Sequence, residues 1–597
     1  MSTDSRASRY SLVLAACTLA CIAAPAFAKS PKPKLDRALE RLTDESAAGP
    51  VSVIISSKAD CGPLRGWLAT RGHTRGNHPT IHAVSADIDV SDLGRLSDLP
   101  CVDSISLDAP VGAHQTVTTT SPPMTLDMLR AAVGSNRSEF RGTAIGVALI
   151  DSGITNTADL RDRIKGFYDF TRGGLQVAAF DDYGHGSHIA ATIGSTGEQN
   201  DGLYQGIVPE VNLIGLKVLD ANGNGKTSDV ISAIAFATVN KARLGIDIIN
   251  LSLGHPIYES AATDPLVQAV EQAVRAGIVV VVSAGNFGTN PSTGLTGYAG
   301  ITSPGNAPSA ITVGAARTFG TVARGDDVVA PYSSRGPSWY DGFAKPDLVA
   351  PGDRLVADAS NGTLYQQYPQ LRVAALPGMS GLYIRLSGSS MATAVVTGVV
   401  AQLLEANRSI VEANCTPMAR LNPYAVKAIL QYTATPLANA DALTQGAGEV
   451  NAVGAIELAR ALDTTVSPWM VGAVTPSTTF GGDTRLWSRS IVWGTGLLQS
   501  ATADNIVWGA SDLWSANIVW GANIVWGTNI VWGANIVWGA NIVWATNVVW
   551  GTNVVWGTNI VWGANVVWGT NIVWSTNVVS RTLTSDTGTG CTVSGCP

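Results

Sequence analysis

Charge is scarce in this 597-residue chain. Only 14% of residues are charged, and 38 Lys and Arg against 45 Asp and Glu leave a net charge of −7. No basic footprint for nucleic acid results, so that class of partner is set aside. Cysteine is sparse at seven, and none stands at metal-ligand spacing with a histidine. The N-terminal apolar run is short as well: Leu12 to Ala24 falls below the about 20 residues that a membrane span needs. The length itself is too great for one ordinary domain, so two or three units are expected.

What is present begins with an export pattern in residues 1–28. Arg6 and Arg9 form a positive end, an apolar core follows, and Ala26-Phe-Ala28 supplies a small-residue cleavage site. Leu14-Ala-Ala-Cys17 offers a competing lipoprotein cleavage, with a much shorter apolar core before it. Cys17 and Cys21 leave with the signal, while Cys61, Cys101, Cys415, Cys591 and Cys596 remain. Export permits disulfides; Cys591–Cys596 is the nearest local pair and Cys61–Cys101 a second candidate.

Residues 29–112 form a small α+β unit. Val51–Ser56, Ala83–Ile88 and Val102–Leu107 have strand character, and Pro63–Arg71 and Val90–Leu99 look helical. That order resembles a ferredoxin-like split β-α-β unit. A Thr/Ser/Pro-rich linker spans 113–124. From 125 to 462 apolar runs recur at Ile145–Ile150, Val211–Val218, Ile246–Leu253, Ile278–Val282 and Ala310–Val313. Continuous apolar strands are buried on both faces, which predicts a mainly parallel, doubly wound α/β sheet. Ser228 is expected to cap a helix over Asp229–Arg243, and Asp264-Pro265 to start another ending at Gly277.

A linker is expected over 463–504, then a repeat array over 505–579 and a tail over 580–597. Twelve Trp residues recur every six positions from Trp508 to Trp574, in units such as Asn523-Ile-Val-Trp-Gly-Ala. Six is even, so an extended strand would put every Trp on one face. Three readings stand: a β-solenoid, an exposed aromatic strip for polysaccharide, cell surface or protein, and an expanded sticky low-complexity tail.

Four polar residues carry chemistry. Asp151 ends the first apolar strand before Ser152-Gly153, and His185 sits in Gly184-His-Gly-Ser-His-Ile-Ala190. Asn286 follows Ala284-Gly285, and Ser390 stands in Gly388-Ser-Ser-Met-Ala392 at the start of an apolar helix. Peptide-bond cleavage needs such a set. Ser390 would be nucleophile, His185 general base and then acid, Asp151 the holder of the imidazole tautomer, and Asn286 an oxyanion donor. His188 is an alternative loop histidine, and each residue alone has a bland turn or loop reading.

Together, in the order Asp, His, Ser, these motifs resemble the subtilisin-like serine proteases, or subtilases. Ser252-Leu253-Gly254 resembles the family's substrate-binding strand; Ser333-Ser-Arg-Gly-Pro337 and Lys345-Pro-Asp-Leu-Val-Ala-Pro-Gly352 are further matches. The resemblance covers about 125–462 and does not reach the Trp array. It implies a polypeptide substrate added as a strand on Ser252, Leu253 and Gly254, with Gly254, Ala284 and Gly285 leaving room for a sizeable apolar P1 side chain. It also implies a propeptide role for 29–112, so that the chain's own propeptide is a partner, and no cofactor for the chemistry. Subtilases often bind structural calcium, but Asp220-Ala-Asn-Gly-Asn-Gly225 reads better as a turn. One departure stands out: Ala394 and Val395 replace the family's usual Pro-His after the nucleophile. A rival class is an adhesin or assembly protein whose subtilase domain only processes its own chain.

Overall fold

The computed structural model describes residues 34–113, 122–290, 293–413, 420–463, 470–493 and 496–499, with the backbone of short strands between 505 and 574. The expected signal at 1–28, Cys415 and the Cys591–Cys596 pair lie outside the described residues.

The first unit runs α1 (Arg37–Asp44), β1 (Pro50–Ser57), α2 (Gly62–Arg71), β2 (Gly72–His78), β3 (Ala83–Asp89), α3 (Leu93–Ser97) and β4 (Val102–Leu107). Its antiparallel sheet has the order β2-β3-β1-β4, a split β-α-β connectivity. The strand β2 is absent from the sequence reading because Gly72-His-Thr-Arg-Gly-Asn-His78 has no apolar alternation. Cys61 and Cys101 form a disulfide across a Cα–Cα distance of 5.7 Å. The chain then continues as β5 (Pro110–Ala113).

The main body carries α4 (Leu126–Val133), β6 (Gly146–Asp151), β7 (Ile164–Asp169), β8 (Leu175–Gln176), α5 (His185–Gly194), β9 (Asn212–Lys217), β10 (Asn224–Lys226), α6 (Thr227–Val239), α7 (Lys241–Leu244), β11 (Ile248–Leu251), β12 (Leu253–Gly254), α8 (Pro265–Arg275), β13 (Val279–Ser283) and β14 (Ile311–Arg317). Then follow β15 (Val328–Val329), β16 (Leu348–Pro351), β17 (Leu355–Asp358), α9 (Thr363–Gln367), β18 (Arg372–Val373), β19 (Tyr383–Leu386), α10 (Ser389–Ala413), α11 (Pro423–Thr433), α12 (Ala442–Gln445) and α13 (Ala452–Ala461). Strands β7, β9, β6, β11, β13, β14 and β16 pair in parallel, with β8 and β15 antiparallel at the margins.

The alternation of β6 shows how one strand serves two cores. Val147 and Leu149 join the cluster under α4, α5 and α10, whereas Ala148 and Ile150 join the cluster under α6 and α8. Helix α10 is long and apolar enough to cross a membrane, but 94% of that window is buried inside the fold. It is the central core helix.

Three expectations need correction. Ser228 does not cap α6; it lies in the first turn, and its N–H and Oγ donate to Asp108 of the first unit at 2.8 Å each. The stretch from Asp353 to Leu386, whose sequence reads as surface loops on the approach to Ser390, is not only loop, since β17, β19 and β18 form a three-stranded sheet containing fully buried Tyr383. The 463–504 linker gives way over its centre to packed structure. There β22 (Ser477–Phe480) pairs with β23 (Asp483–Leu486), Phe480 lies under the Arg324 guanidinium at 3.8 Å, and buried Trp487 donates to Thr478 Oγ1 at 2.9 Å. Two widely spaced aromatics give no periodic signal, which is why sequence reading missed the docking.

In the Trp array the described strands form two parallel four-stranded sheets. Ile524 pairs with Ile542 and Ile518 with Ile536, an offset of 18 residues (542 − 524 and 536 − 518), or three hexads. One such step spans three repeats, so a stacked backbone is wider than one repeat per coil would make it.

Candidate active site

Asp151 ends β6 at the carboxyl edge of the sheet, where open α/β sheets place their chemistry. His185 opens α5, and its Nδ1 lies 2.8 and 3.0 Å from the two Asp151 carboxylate oxygens, with both side chains fully buried. A carboxylate can only accept, so Nδ1 carries the hydrogen and Nε2 is left as acceptor. That Nε2 is buried and has no hydrogen-bond partner.

Ser390 sits in the first turn of α10, whose positive end faces the site. Its Oγ donates to the Ser252 carbonyl at 3.0 Å, and Ser252 Oγ donates to the Ser390 carbonyl at 3.2 Å. Asn286 follows β13. Its Oδ1 accepts from Ser389 N–H and Oγ at 3.0 and 3.1 Å, which leaves the buried Nδ2 donor without a partner. An amide so oriented is a ready donor for a developing oxyanion.

His188, the competing histidine, points elsewhere. It donates Nε2–H to the Leu355 carbonyl at 2.9 Å, and complete burial pulls its pKa down to about 4. It remains neutral.

Two residues hold the constellation that the sequence reading did not single out. Asp181 Oδ1 accepts from Ser152 Oγ at 2.9 Å, Gly184 N–H at 2.8 Å and Tyr183 N–H at 3.2 Å. Its Oδ2 accepts from Ser187 N–H at 2.8 Å and Ser187 Oγ at 2.7 Å. Asp181 thus ties the loop after Asp151 to the start of the His185 helix. Lys217, buried at the end of β9, donates to the carbonyls of Ser152 and Leu219 at 2.6 Å each and to Asp182 at 2.7 Å. The signal available was an Asp-Asp pair just before Tyr-Gly-His. Gly186 is required by close approach, because a Cβ there would lie 2.2 Å from the Gly153 carbonyl.

Beside the nucleophile, Leu253 and Gly254 form β12, with Ser252 just before it, all buried. Strand β5 lies antiparallel between β10 and β12, with Gly112 opposite Gly254 and Ala113 opposite Leu253. The end of the first unit is therefore an added strand beside Leu253-Gly254. The Ala284-Gly285 wall is narrower than expected from glycine alone: Thr302 donates its N–H to Ala284, and its Cγ2 lies 3.0 Å from where a Gly285 side chain would start. Asp220 is a turn residue, with Oδ1 accepting from Asn222 and Asn224 N–H. Among the described residues no group of three or more His, Cys, Asp or Glu side chains is placed to hold a metal ion.

The family model for the subtilase family matches residues 142–454. Serine protease AprX of Bacillus subtilis is 36% identical over 326 residues, covering 54% of this chain and 68% of that protein. Alkaline elastase YaB of a Bacillus strain is 34% identical over 257 residues, covering 42% of this chain and 60% of that protein. The solved structure of fervidolysin from Fervidobacterium pennivorans superposes with a TM-score of 0.51 at 22% identity, covering 68% of this chain and 61% of that one. That last likeness concerns the fold.

Proposed function

The chain belongs to the subtilase family of serine endopeptidases, and from that premise we propose that it is an exported endopeptidase, made as a zymogen, that cleaves polypeptides through a Ser390 acyl-enzyme. The observation that supports this reading is the buried Asp151–His185 pair with an unpartnered Nε2, together with an unpartnered Asn286 Nδ2 whose Oδ1 is held by Ser389, the neighbour of Ser390.

A substrate backbone lies along Leu253-Gly254 as β5 does. Rotation about the Ser390 Cα–Cβ bond moves the hydroxyl from the Ser252 carbonyl to His185 Nε2. As Oγ attacks the scissile carbonyl, Nε2 takes its proton, and Asp151 stabilises the imidazolium through Nδ1–H. The Asn286 Nδ2–H₂ donates to the oxyanion. Collapse of the tetrahedral intermediate breaks the C–N bond, and Nε2 returns the proton to the leaving amine. Water, deprotonated by the same nitrogen, then releases the acid product and restores Ser390.

In this reading residues 1–28 direct export and 29–112 act as propeptide, with β5 holding the place a substrate would take. The Trp array tethers the enzyme to a surface, to polysaccharide or to a second copy. The test is a fluorophosphonate probe with mass spectrometry on wild type and Ser390→Ala. Label on Ser390 and N-terminal trimming, both absent from the variant, support the reading. A protein that cuts its own 109–125 or 463–500 segments but never casein would instead be a self-processing assembly protein.

A further inference from the structure

Where the first unit meets the catalytic body, three acids line one small cavity with no Lys or Arg among the described residues paired to them. Asp36, at the start of α1, is 4% exposed; its Oδ1 accepts from Leu39 N–H at 2.8 Å and its Oδ2 from Leu107 N–H at 2.6 Å. Across the interface Asp264, 2% exposed, caps α8 through Oδ1, with Leu266 and Val267 N–H at 2.9 and 3.2 Å. Asp264 Oδ2 is buried without a partner, while Ser106 faces Glu259. Glu259 shares with these three residues a small cavity that Leu107, Thr227, His255, Tyr258 and Pro265 complete. None of the ion pairs among the described residues involves Asp36, Glu259 or Asp264.

We propose that docking of the 34–113 unit takes up a proton into the Asp36–Glu259–Asp264 cluster, so that the unit is held most tightly at acidic pH and is progressively loosened as the medium turns neutral and then mildly alkaline. The use of such a release rests on the zymogen reading above; the docked interface itself needs no catalysis.

Three carboxylates that line one small cavity disfavour full ionisation, because like charges and loss of water both favour the protonated form. Glu259 is the group that responds. Burial first, and Asp264 next, raise its pKa from 4.5 to about 8. Burial likewise raises Asp36. Other groups face the cluster from the neighbouring elements. His255 favours the ionised form of Asp36, donates Nδ1–H to the Pro256 carbonyl at 2.7 Å and stacks on Tyr258. From α1, Arg41 acts on Tyr258, while Arg37 and Glu40 act on Tyr340. Thr227 and Leu107 bring no titratable group.

The sign follows. A Glu259 that is ionised when the unit is away and protonated when it is docked makes docking consume a proton between about pH 4.5 and 8. Docking therefore weakens with rising pH, at most about tenfold per unit, and levels off above pH 8. Elsewhere in the interface, Asp229, raised to about 6 by burial and Asp108, works in the same sense at lower pH. His78, lowered by burial, works in the opposite sense below its ordinary 6.5. In the window from about pH 6.5 to 8.5 the comparison with Glu259→Gln separates Glu259 from the other groups at the interface.

The experiment uses the full Ser390→Ala chain, which stays whole. Hydrogen exchange is followed at two docking amides, Arg37 N–H to the Tyr258 carbonyl and Ser228 N–H to Asp108, corrected for the intrinsic pH dependence. Protection is expected to fall more than tenfold across the window in this parent. In Glu259→Gln it should stay level, at or above the parent's low-pH value, and Glu259→Ala should likewise remove the pH dependence. A parent with pH-independent protection overturns the proposal, as does an equal slope in Glu259→Gln and Glu259→Ala. A wild-type chain that never trims itself would count against the zymogen reading and leave the exchange result standing.

Discussion

Replacing Asp181 by asparagine tests how the catalytic pair is held. Five donors converge on this carboxylate, three on Oδ1 and two on Oδ2, at 2.7 to 3.2 Å. An asparagine has the same shape but one oxygen. Whichever way its amide turns, an NH₂ faces two or three donors, and those donors lose their acceptor inside the fold. Each orphaned buried group costs about 1–3 kcal/mol, so a loss of roughly 3–5 kcal/mol is expected after partial relaxation. Asp181 also links Ser152 to the first turn of α5. A shift of that turn moves His185 relative to Ser390, and a misplacement near 1 Å can cost about 10²-fold. The substrate strand on Leu253-Gly254 is untouched, so KM should hold while kcat falls about 10²-fold. Thermal unfolding in the Ser390→Ala background avoids self-digestion and reads stability; peptide hydrolysis by the variant with Ser390 present reads kcat. A variant with parental melting temperature and kcat would refute the argument.

Further outcomes follow from other contacts. Asn286→Ala should lower kcat about 10²–10³-fold with KM nearly unchanged, and a change confined to KM would remove its oxyanion role. Trp487→Ala, which empties the space against Tyr432 and Thr478, should cost about 3–5 kcal/mol in the unfolding free energy, whereas a loss below about 1 kcal/mol would mean the segment merely rests on the body. Burial, then Asp159, raises the Asp358 pKa from 3.8 to about 8, so the native state keeps a proton there that the unfolded chain has lost. Stability from that proton falls as pH rises between those values, by at most about 1.4 kcal/mol per unit. The melting temperature of Asp358→Asn should accordingly gain on the parent from pH 5 to 8, and a constant difference would contradict the assignment. Ala394→Pro should alter how the acyl-enzyme divides between water and an added amine, because proline stiffens the first turns of α10; an unchanged ratio would dismiss that idea.

Local sequence was sufficient for the parts of the site that depend on local structure. Asp151 closes a continuous apolar strand, Ser390 precedes an apolar helix, and Asn286 follows a valine-rich strand, so period and punctuation alone placed each at an element's end. The apolar runs also announced a sheet buried on both faces. What the pattern left open was decided by contacts between residues distant in the chain. The motif pointed to His185, but only the fold shows that its ring meets Asp151 while His188, three residues on along the same helix, meets the Leu355 carbonyl. Asp181 and Lys217 are ordinary polar residues until folding gathers backbone donors and carbonyls around them. Phe480 and Trp487 look like linker residues until Arg324 and Tyr432 cover them. Asp36, Glu259 and Asp264 acquire their shared electrostatics only where the 34–113 unit meets the catalytic body. Periodicity records which face of an element is buried, whereas the partner on that face is a long-range choice that belongs to the tertiary structure.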